Sequence, residues 1–440
     1  MPPAIAAFMR RFLLASLMTC GLVPGAFSQS IVPRNLLPID SGTFVGVSEL
    51  SGIAFGGPVV ADAFRFWAVQ DSGGQAVAID VTFGADGTLL SAKVNQSVSL
   101  PPAWDGEAIT FLGPDRSRLL VSDETSPQLM EVDVGVGFTG KSVPLPAIYS
   151  NIRHNRGIES LSRAPGGHSI WTANEEALVG DGDLATDATG TIVRLQQFDD
   201  LGDSLIAQEQ YAYPVDPIHA SQGDNDATRS GLVDLVAFDS GLLALERSLA
   251  SSLIPPPYES RVYLLDFANA TNVATSEYAS GLIGTTYTPV AKILLWSGPA
   301  GGGLGQNLEG LALGPQLPNG NSVLLGIVDN GDPLSSNSLI AFELSGVSPR
   351  CGDYNCNGAV DAADYTVWKD HFGSQDFLAA DGNGNRIVDA ADYTVWKDGF
   401  GDHLRSPLQP LYVPESRGPA GLAFAAPLFW VACRKMAGRH

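Results

Sequence analysis

The sequence predicts a mainly β chain: a β-propeller of about six blades over residues 31–346, followed by a small α-helical tandem module over 352–401. Three observations carry this. Short strand-like runs recur between Gly, Pro, Asn and Asp turns, and no long segment of helical period appears. A three-strand meander repeats at least five times. The string VDAADYTVWKD occurs twice, at 360–370 and 388–398.

Length and composition fit this class. A chain of 440 residues buries a full core without staples, and Gly 49 with Pro 29 are scattered as in a turn-rich fold. The 25 Lys+Arg against 47 Asp+Glu give a net charge of −22. That excess excludes a nucleic-acid backbone or an anionic membrane surface as the main partner and favours cation binding or plain solubility. Four Cys exclude a disulfide scaffold.

Residues 1–28 read as a secretory signal. Arg10 and Arg11 precede an apolar run from Phe12 to Val23, and Ala26-Phe27-Ser28 fits a small-x-small cleavage site. A retained membrane anchor is the alternative. The signal reading places the mature chain outside the cytoplasm, secreted or at the cell surface.

The meander follows. Its first strand is opened by Gly or an acid: SGIAF at 51–55, DGEAITF at 105–111, RGIESLS at 156–162, GLVDLVAF at 231–238 and LEGLALG at 308–314. Its second is apolar and ends in or near an acid: FWAVQD, LLVSDE, IWTANEE, LLALER and LLGIVDN. A third often follows, as in QAVAID and RVYLLDF. Such a unit cannot bury both faces alone, and radial stacking of blades solves this. The gap before 309 leaves room for a sixth blade around LIGTTYTPVAKILLWS at 282–297; five or seven blades also fit the spacing.

These strings, in this order, resemble the phytase-like family described as having esterase-like activity. The resemblance covers nearly all of 40–346 and implies a propeller and hydrolysis of phosphoesters or esters.

Acids recur at fixed places in the meander. Glu107, Glu159, Asp234 and Glu309 open inner strands, and Asp71, Asp123, Glu124, Glu175, Glu176, Glu246 and Asp329 close the next ones. If the first strands line a channel, the carboxylates converge and repel, and calcium ions would relieve the repulsion. Glu107, Glu159, Glu309, Asp123 and Asp329 are the expected channel ligands. Arg156 and Arg247 are the expected phosphate contacts, with His154 and Lys292 in reserve. For each residue a turn, an inter-blade hydrogen bond or a structural ion pair is the competing reading. No zinc-spaced His cluster and no G-x-S-x-G elbow occurs, so a metal-assisted mechanism is favoured over a Ser-His-Asp esterase. GPAGGGLGQN at 298–307 lacks the strand-to-helix context of a dinucleotide site.

The tandem module presents alternating hard oxygens twice. In DYNCNGAVDAAD the donors are Asp353, Asn355, Asn357, the Ala359 carbonyl, Asp361 and Asp364. In DGNGNRIVDAAD they are Asp381, Asn383, Asn385, the Ile387 carbonyl, Asp389 and Asp392. Each loop leads into one short helix, and position 12 is Asp, not the Glu of a helix-loop-helix EF-hand. Gly358 supplies the sharp turn in the first loop, and Arg386 stands there in the second. Two such loops, each with one helix, resemble a type I dockerin, which implies a cohesin-like partner on a scaffold or surface. Cys351 and Cys356 could close a small ring in an oxidising compartment.

Residues 402–440 form a linker and tail. Val413-Pro414-Glu415, an apolar stretch from Gly418 to Ala432 and then Arg434-Lys435 resemble a PEP-CTERM sorting tail. A weakly apolar terminus is the alternative. Together these features predict an exported calcium-dependent phosphoester or ester hydrolase carried by its dockerin. Its rivals are a non-catalytic binding propeller and an accessory of a polysaccharide-degrading assembly.

Overall fold

The computed structural model describes 29–346, apart from 61, 102–103, 114–115, 125–126, 164–167, 203, 221–227, 239–240 and 252–256. It also describes 352–400, apart from 353, 355–359, 375–379, 381 and 383–386. The signal and tail, both cysteines of the candidate ring, and Asp353, Asn355, Asn357, Ala359, Asp381, Asn383 and Asn385 lie outside the described residues.

Among the described residues twenty strands form five four-stranded antiparallel sheets. Blade one is β2 (Leu50–Val60), β3 (Ala63–Gln70), β4 (Gln75–Phe83) and β5 (Leu89–Ser99). Blade two is β6 (Ile109–Leu112), β7 (Arg118–Asp123), β8 (Gln128–Asp133) and β9 (Gly137–Val143). Blade three is β10 (Ile158–Arg163), β11 (Ser169–Asn174), β12 (Thr191–Asp200) and β13 (Leu205–Val215). Blade four is β14 (Arg229–Phe238), β15 (Gly241–Leu249), β16 (Tyr258–Asp266) and β17 (Ala291–Gly298). Blade five takes β18 (Leu308–Gln316), β19 (Ser322–Val328) and β20 (Ser338–Ser345) from the end of the wheel and its outermost strand, β1 (Ser30–Pro38), from the start. Pro33 and Pro38 suit β1 to that edge, since proline cannot donate to a ladder on both sides.

The propeller expected from the sequence is present, with five blades instead of six. The segment 282–297 supplies β17, the outer strand of blade four. The chain before it lies against blade three: Val273, Tyr278 and Leu282 pack on Ala212. A buried pair anchors this cover. Arg194 binds Asp181 at 2.7 Å and donates to the Tyr278 carbonyl at 3.1 Å, and Asp181 accepts from the Leu282 amide at 3.0 Å. The apolar residues that suggested another blade cap an existing one.

The core is divided among the blade interfaces. Second strands are sandwiched between neighbouring blades, so they read as continuous apolar runs rather than alternating ones. Phe66 faces blade five, packing with Leu325 and Ile327, while the adjacent Trp67 faces blade two with Leu119 and Val121. Trp171 fills the interface of blades three and four, and truncating it to Ala costs about 3–5 kcal/mol. First strands pack side by side around the axis, β2 on β6, β6 on β10, β10 on β14, β14 on β18 and β18 on β2. That crowding dictates glycine at Gly310, where a Cβ would stand 2.6 Å from the Ser51 carbonyl oxygen.

Beyond the wheel, α1 (Ala362–Asp370) and α2 (Ala390–Gly399) repeat each other. Asp361 and Asp389 cap them, and Asp364 and Asp392 close the capping boxes by accepting from the Asp361 and Asp389 amides at 2.8 and 2.7 Å. Trp368 Nε1 donates to the Asp389 carbonyl and Trp396 Nε1 to the Asp361 carbonyl, both at 2.7 Å. The two copies are thus stitched reciprocally. Among the described residues no helix is long and apolar enough to cross a membrane.

Candidate functional site: an acid-lined axial cavity

Two positions repeat around the axis with the blades. The first is an extra residue where the inner strand begins, a β-bulge that lifts one residue out of the ladder. It is Glu159, Val233 and Glu309 in blades three, four and five, and Ser51 lies in the corresponding break of blade one. Glu107 holds it in blade two, between Asp105, which accepts from the Glu124 amide, and Ala108, which accepts from the Ser122 amide. The second position lies where the next strand ends. Its amides in Asp71, Glu124, Glu175 and Asp329 donate to Glu49, Asp105, Gly157 and Asn307 carbonyls at 2.8–3.0 Å. In blade four Arg247 takes this place, opposite Gly231.

Four blades therefore aim acids at the axis, and blade four aims an arginine. The resulting cavity has a volume of about 210 Å³. Seven carboxylates line it, Asp71, Glu107, Glu124, Glu159, Glu175, Glu309 and Asp329, against the two guanidiniums of Arg229 and Arg247.

Arg247 is buried and fully engaged at its tip. Its Nη1 meets Asn307 Oδ1 at 2.7 Å and also Glu309, and its Nη2 meets Glu175 Oε1 at 2.8 Å. Asn307 Nδ2 donates to Glu309 and Asp329 at 3.0 and 2.9 Å. Glu124 accepts from the Gly157 amide of the next blade at 2.8 Å. Ser51 Oγ lies 2.6 Å from Glu107 and 2.8 Å from Glu309. A hydroxyl has one proton, so it cannot donate to both.

Crowding and burial move these acids. Burial first, then Glu309, Asp71 and Glu124, hold Glu107 well above the usual carboxylate range. Burial and then Glu107, Glu175 and Glu124 do the same to Glu159. Burial and the adjacent Asp105 push Asp71 up to about 8, and burial with Glu309 pushes Asp329 up to about 7. Glu159 is only 8% exposed, and its carboxyl shares a hydrogen bond with that of Glu124. Carboxylate oxygens of Asp71, Asp105 and Glu107 lie within 4.8 Å of one another, as do those of Glu107, Glu124 and Glu159. A hard cation suits this donor set: oxygen ligands only, in excess negative charge, with Glu107 common to both groups.

Of the residues expected in the channel, Glu107, Glu159, Glu309, Asp329 and Arg247 come together there. Asp123 does not line the cavity; its carboxylate faces the Asp105 amide and Gln128 at 3.4 and 3.3 Å, and Glu124 takes the axial place. Arg156 also lies outside the lining, with its Nε 2.9 Å from Glu176. Asp234 accepts from the Leu235 and Leu311 amides, a main-chain tie between blades. Glu246 and Lys292 are bound to each other beside Tyr213 and Asp216. Sequence reasoning missed Arg229, Asn155, Tyr258 and Asn307. Asn155 adopts φ 57°, a left-handed conformation rare outside glycine, but nothing in the string NRGIES shows that.

The phytase-like family described as "Esterase-like activity of phytase" matches residues 45–331. The chain belongs to that family. No curated protein matches it. Similar solved structures include hydrazine synthase of Kuenenia stuttgartiensis, at 9% identity over 64% of this phytase-like chain and 76% of that one, with a TM-score of 0.31. The PQQ domain of pyranose dehydrogenase from Coprinopsis cinerea is similar at 11% identity over 73% and 99% of the two chains, with a TM-score of 0.32. The Cps50 (Swd1) β-propeller domain of Myceliophteria thermophila is similar at 9% identity over 71% and 99%, with a TM-score of 0.29. Likenesses this distant bear on nothing in the chemistry of the cavity.

Proposed function

We propose that this phytase-like chain hydrolyses ester bonds, phosphoesters foremost, in the axial cavity with the help of calcium. The observation that carries the reading is the convergence of seven carboxylates on two guanidiniums in one cavity. Asp71, Asp105, Glu107, Glu124 and Glu159 would hold the cation. When bound, calcium supplies Lewis-acid polarisation of the ester oxygens and a more acidic water. The chain's own residues do the rest. Glu159, buried beside Glu107 and Glu124, is placed to take or give a proton at its carboxylate. Arg247 and Asn307 fix Glu309 and Asp329 in place, and Ser51 links Glu107 to Glu309. Export by the N-terminal segment and attachment to a cohesin-like partner through the calcium-loaded tandem module complete the proposal.

A second reading, a binding propeller with structural calcium, is favoured by one feature. Several of these acids already stitch blade to blade, as Glu124 does to Gly157. Assays of the full chain on phosphomonoesters, inositol phosphates and carboxyl esters, with calcium and then with chelator, separate the two. Turnover that chelator abolishes supports the hydrolase. No turnover anywhere supports the binding propeller, and turnover indifferent to chelator removes the cation from the mechanism.

A further inference from the structure

The two arginines of the cavity are not equivalent. Arg247 is spent: its terminal nitrogens hold Asn307, Glu309 and Glu175, its side chain is 8% exposed, and moving it would strand buried carboxylates. Arg229 opens β14 at the same cavity and is 26% exposed. Its one hydrogen bond among the described residues is long, 3.4 Å from Nη1 to Glu175 Oε2, the oxygen that Arg247 does not use. A guanidinium carries five N–H donors, so among the described residues most of the donors of Arg229 meet no hydrogen-bond acceptor. Arg156, the other candidate, is taken by Glu176 away from the lining.

We propose that Arg229 is the anion anchor of this site, receiving two oxygens of a single phosphoryl group. The inference rests on the ester-hydrolase reading for its context and on the arginine geometry for its content. An anionic group entering among seven carboxylates needs a cation with N–H donors to spare, and Arg229, though near Glu175, has them. A planar guanidinium with adjacent N–H groups matches a phosphoryl oxygen pair. At about 210 Å³ the cavity is smaller than the roughly 300–1,000 Å³ of sites that engulf a drug-sized ligand. That space matches one phosphoryl group with its cation.

The test uses the full chain with calcium. Inorganic phosphate is titrated by calorimetry, and a small phosphomonoester is assayed, for wild type, Arg229→Gln and Arg229→Lys. Arg229→Gln is expected to weaken phosphate binding and raise KM roughly ten- to hundredfold, with a smaller change in kcat, and Arg229→Lys to recover part of both. The melting temperature of the calcium-loaded variants should fall far less than that of Arg247→Met, since Glu175 keeps its 2.8 Å partner Arg247. Unchanged phosphate affinity in Arg229→Gln overturns the assignment. So does an affinity loss that Arg229→Lys shares in full while both variants melt early, which would mark a structural role. Wild type that hydrolyses carboxyl esters yet binds no phosphate overturns the anchor and leaves the hydrolase. Wild type that binds phosphate through Arg229 without turnover keeps the anchor and ends the hydrolase.

Discussion

Removing divalent cations should make the propeller lose stability as pH rises from 5 to 8. The folded state holds protons on Asp71, Asp329, Glu107 and Glu159 more tightly than the unfolded chain does, because burial and mutual repulsion resist their ionisation. Below about pH 4 such a group is protonated in both states and costs nothing. Between its unfolded and folded pKa the native state binds the extra proton, so stability falls with every step upward in pH, until the loss is complete above the folded value. For Asp329, held at about 7 against an ordinary 3.8, the whole loss is about 4 kcal/mol, of which about 3 kcal/mol falls above pH 5. A domain of about 300 residues has an unfolding entropy near 0.6 kcal/mol/K, so Asp329 alone lowers Tm by about 4 °C between pH 5 and 8. Calcium should reverse this and do so more at pH 8 than at pH 5, since it binds ionised carboxylates. At a hundredfold excess over Kd the gain is about 2.7 kcal/mol, or about 4 °C. Calorimetric scans of chelated and calcium-loaded protein across this range are the assay. A chelated Tm that is flat or rising between pH 5 and 8, or a calcium effect that shrinks with pH, refutes the reasoning.

Other consequences follow from the same geometry. Arg247→Met should destabilise by about 3–5 kcal/mol in urea titration, because Glu175 and Glu309 lose their buried partner. Gly157→Ala puts a Cβ 2.5 Å from Glu124 Cγ and should lower turnover by displacing that acid; unchanged kcat/KM would remove Glu124 from the site. Small phosphomonoesters should be turned over in preference to inositol hexakisphosphate, measured as kcat/KM on each, given a cavity of about 210 Å³. Residues 350–403 should bind two calcium ions with a gain in helical circular dichroism; a single ion would point to Arg386 as an obstacle in the second loop.

The propeller was legible because its signals are local. Sandwiched second strands such as LLVS and LLAL must be apolar on both faces, and inner strands must open on glycine where neighbours crowd. Blade number was less legible, since 282–297 carries strand-like apolar residues whether it builds a blade or, as here, supplies β17 after a segment packed on blade three. The site was half legible. Glu107, Glu159 and Glu309 share a bulge position that the repeat itself exposes, but the choice between Asp123 and Glu124 turns on which of two adjacent acids faces the axis. Sequence alternation cannot decide that at a strand end. Arg229 escaped because it precedes the repeated string and carries no acid beside it.

Repetition explains why there is a site at all, and its failure at both positions of one blade explains what the site can do. Five copies of an acid at each ring would give a purely anionic hole, able to hold cations and nothing else. Blade four departs at both positions. Val233 turns into the core shared with blade five, and Arg247 replaces the acid that closes its second strand. The cavity thereby gains a cation-demanding side, on blades one to three, and a cationic side on blade four. An ester with an anionic leaving or transferred group needs both. Replacing the available cation of that side, with Arg229→Glu, should therefore strengthen calcium binding by calorimetry while abolishing phosphate binding. If phosphate binding survived in that folded variant, the polarity of the cavity would not be the basis of its selectivity.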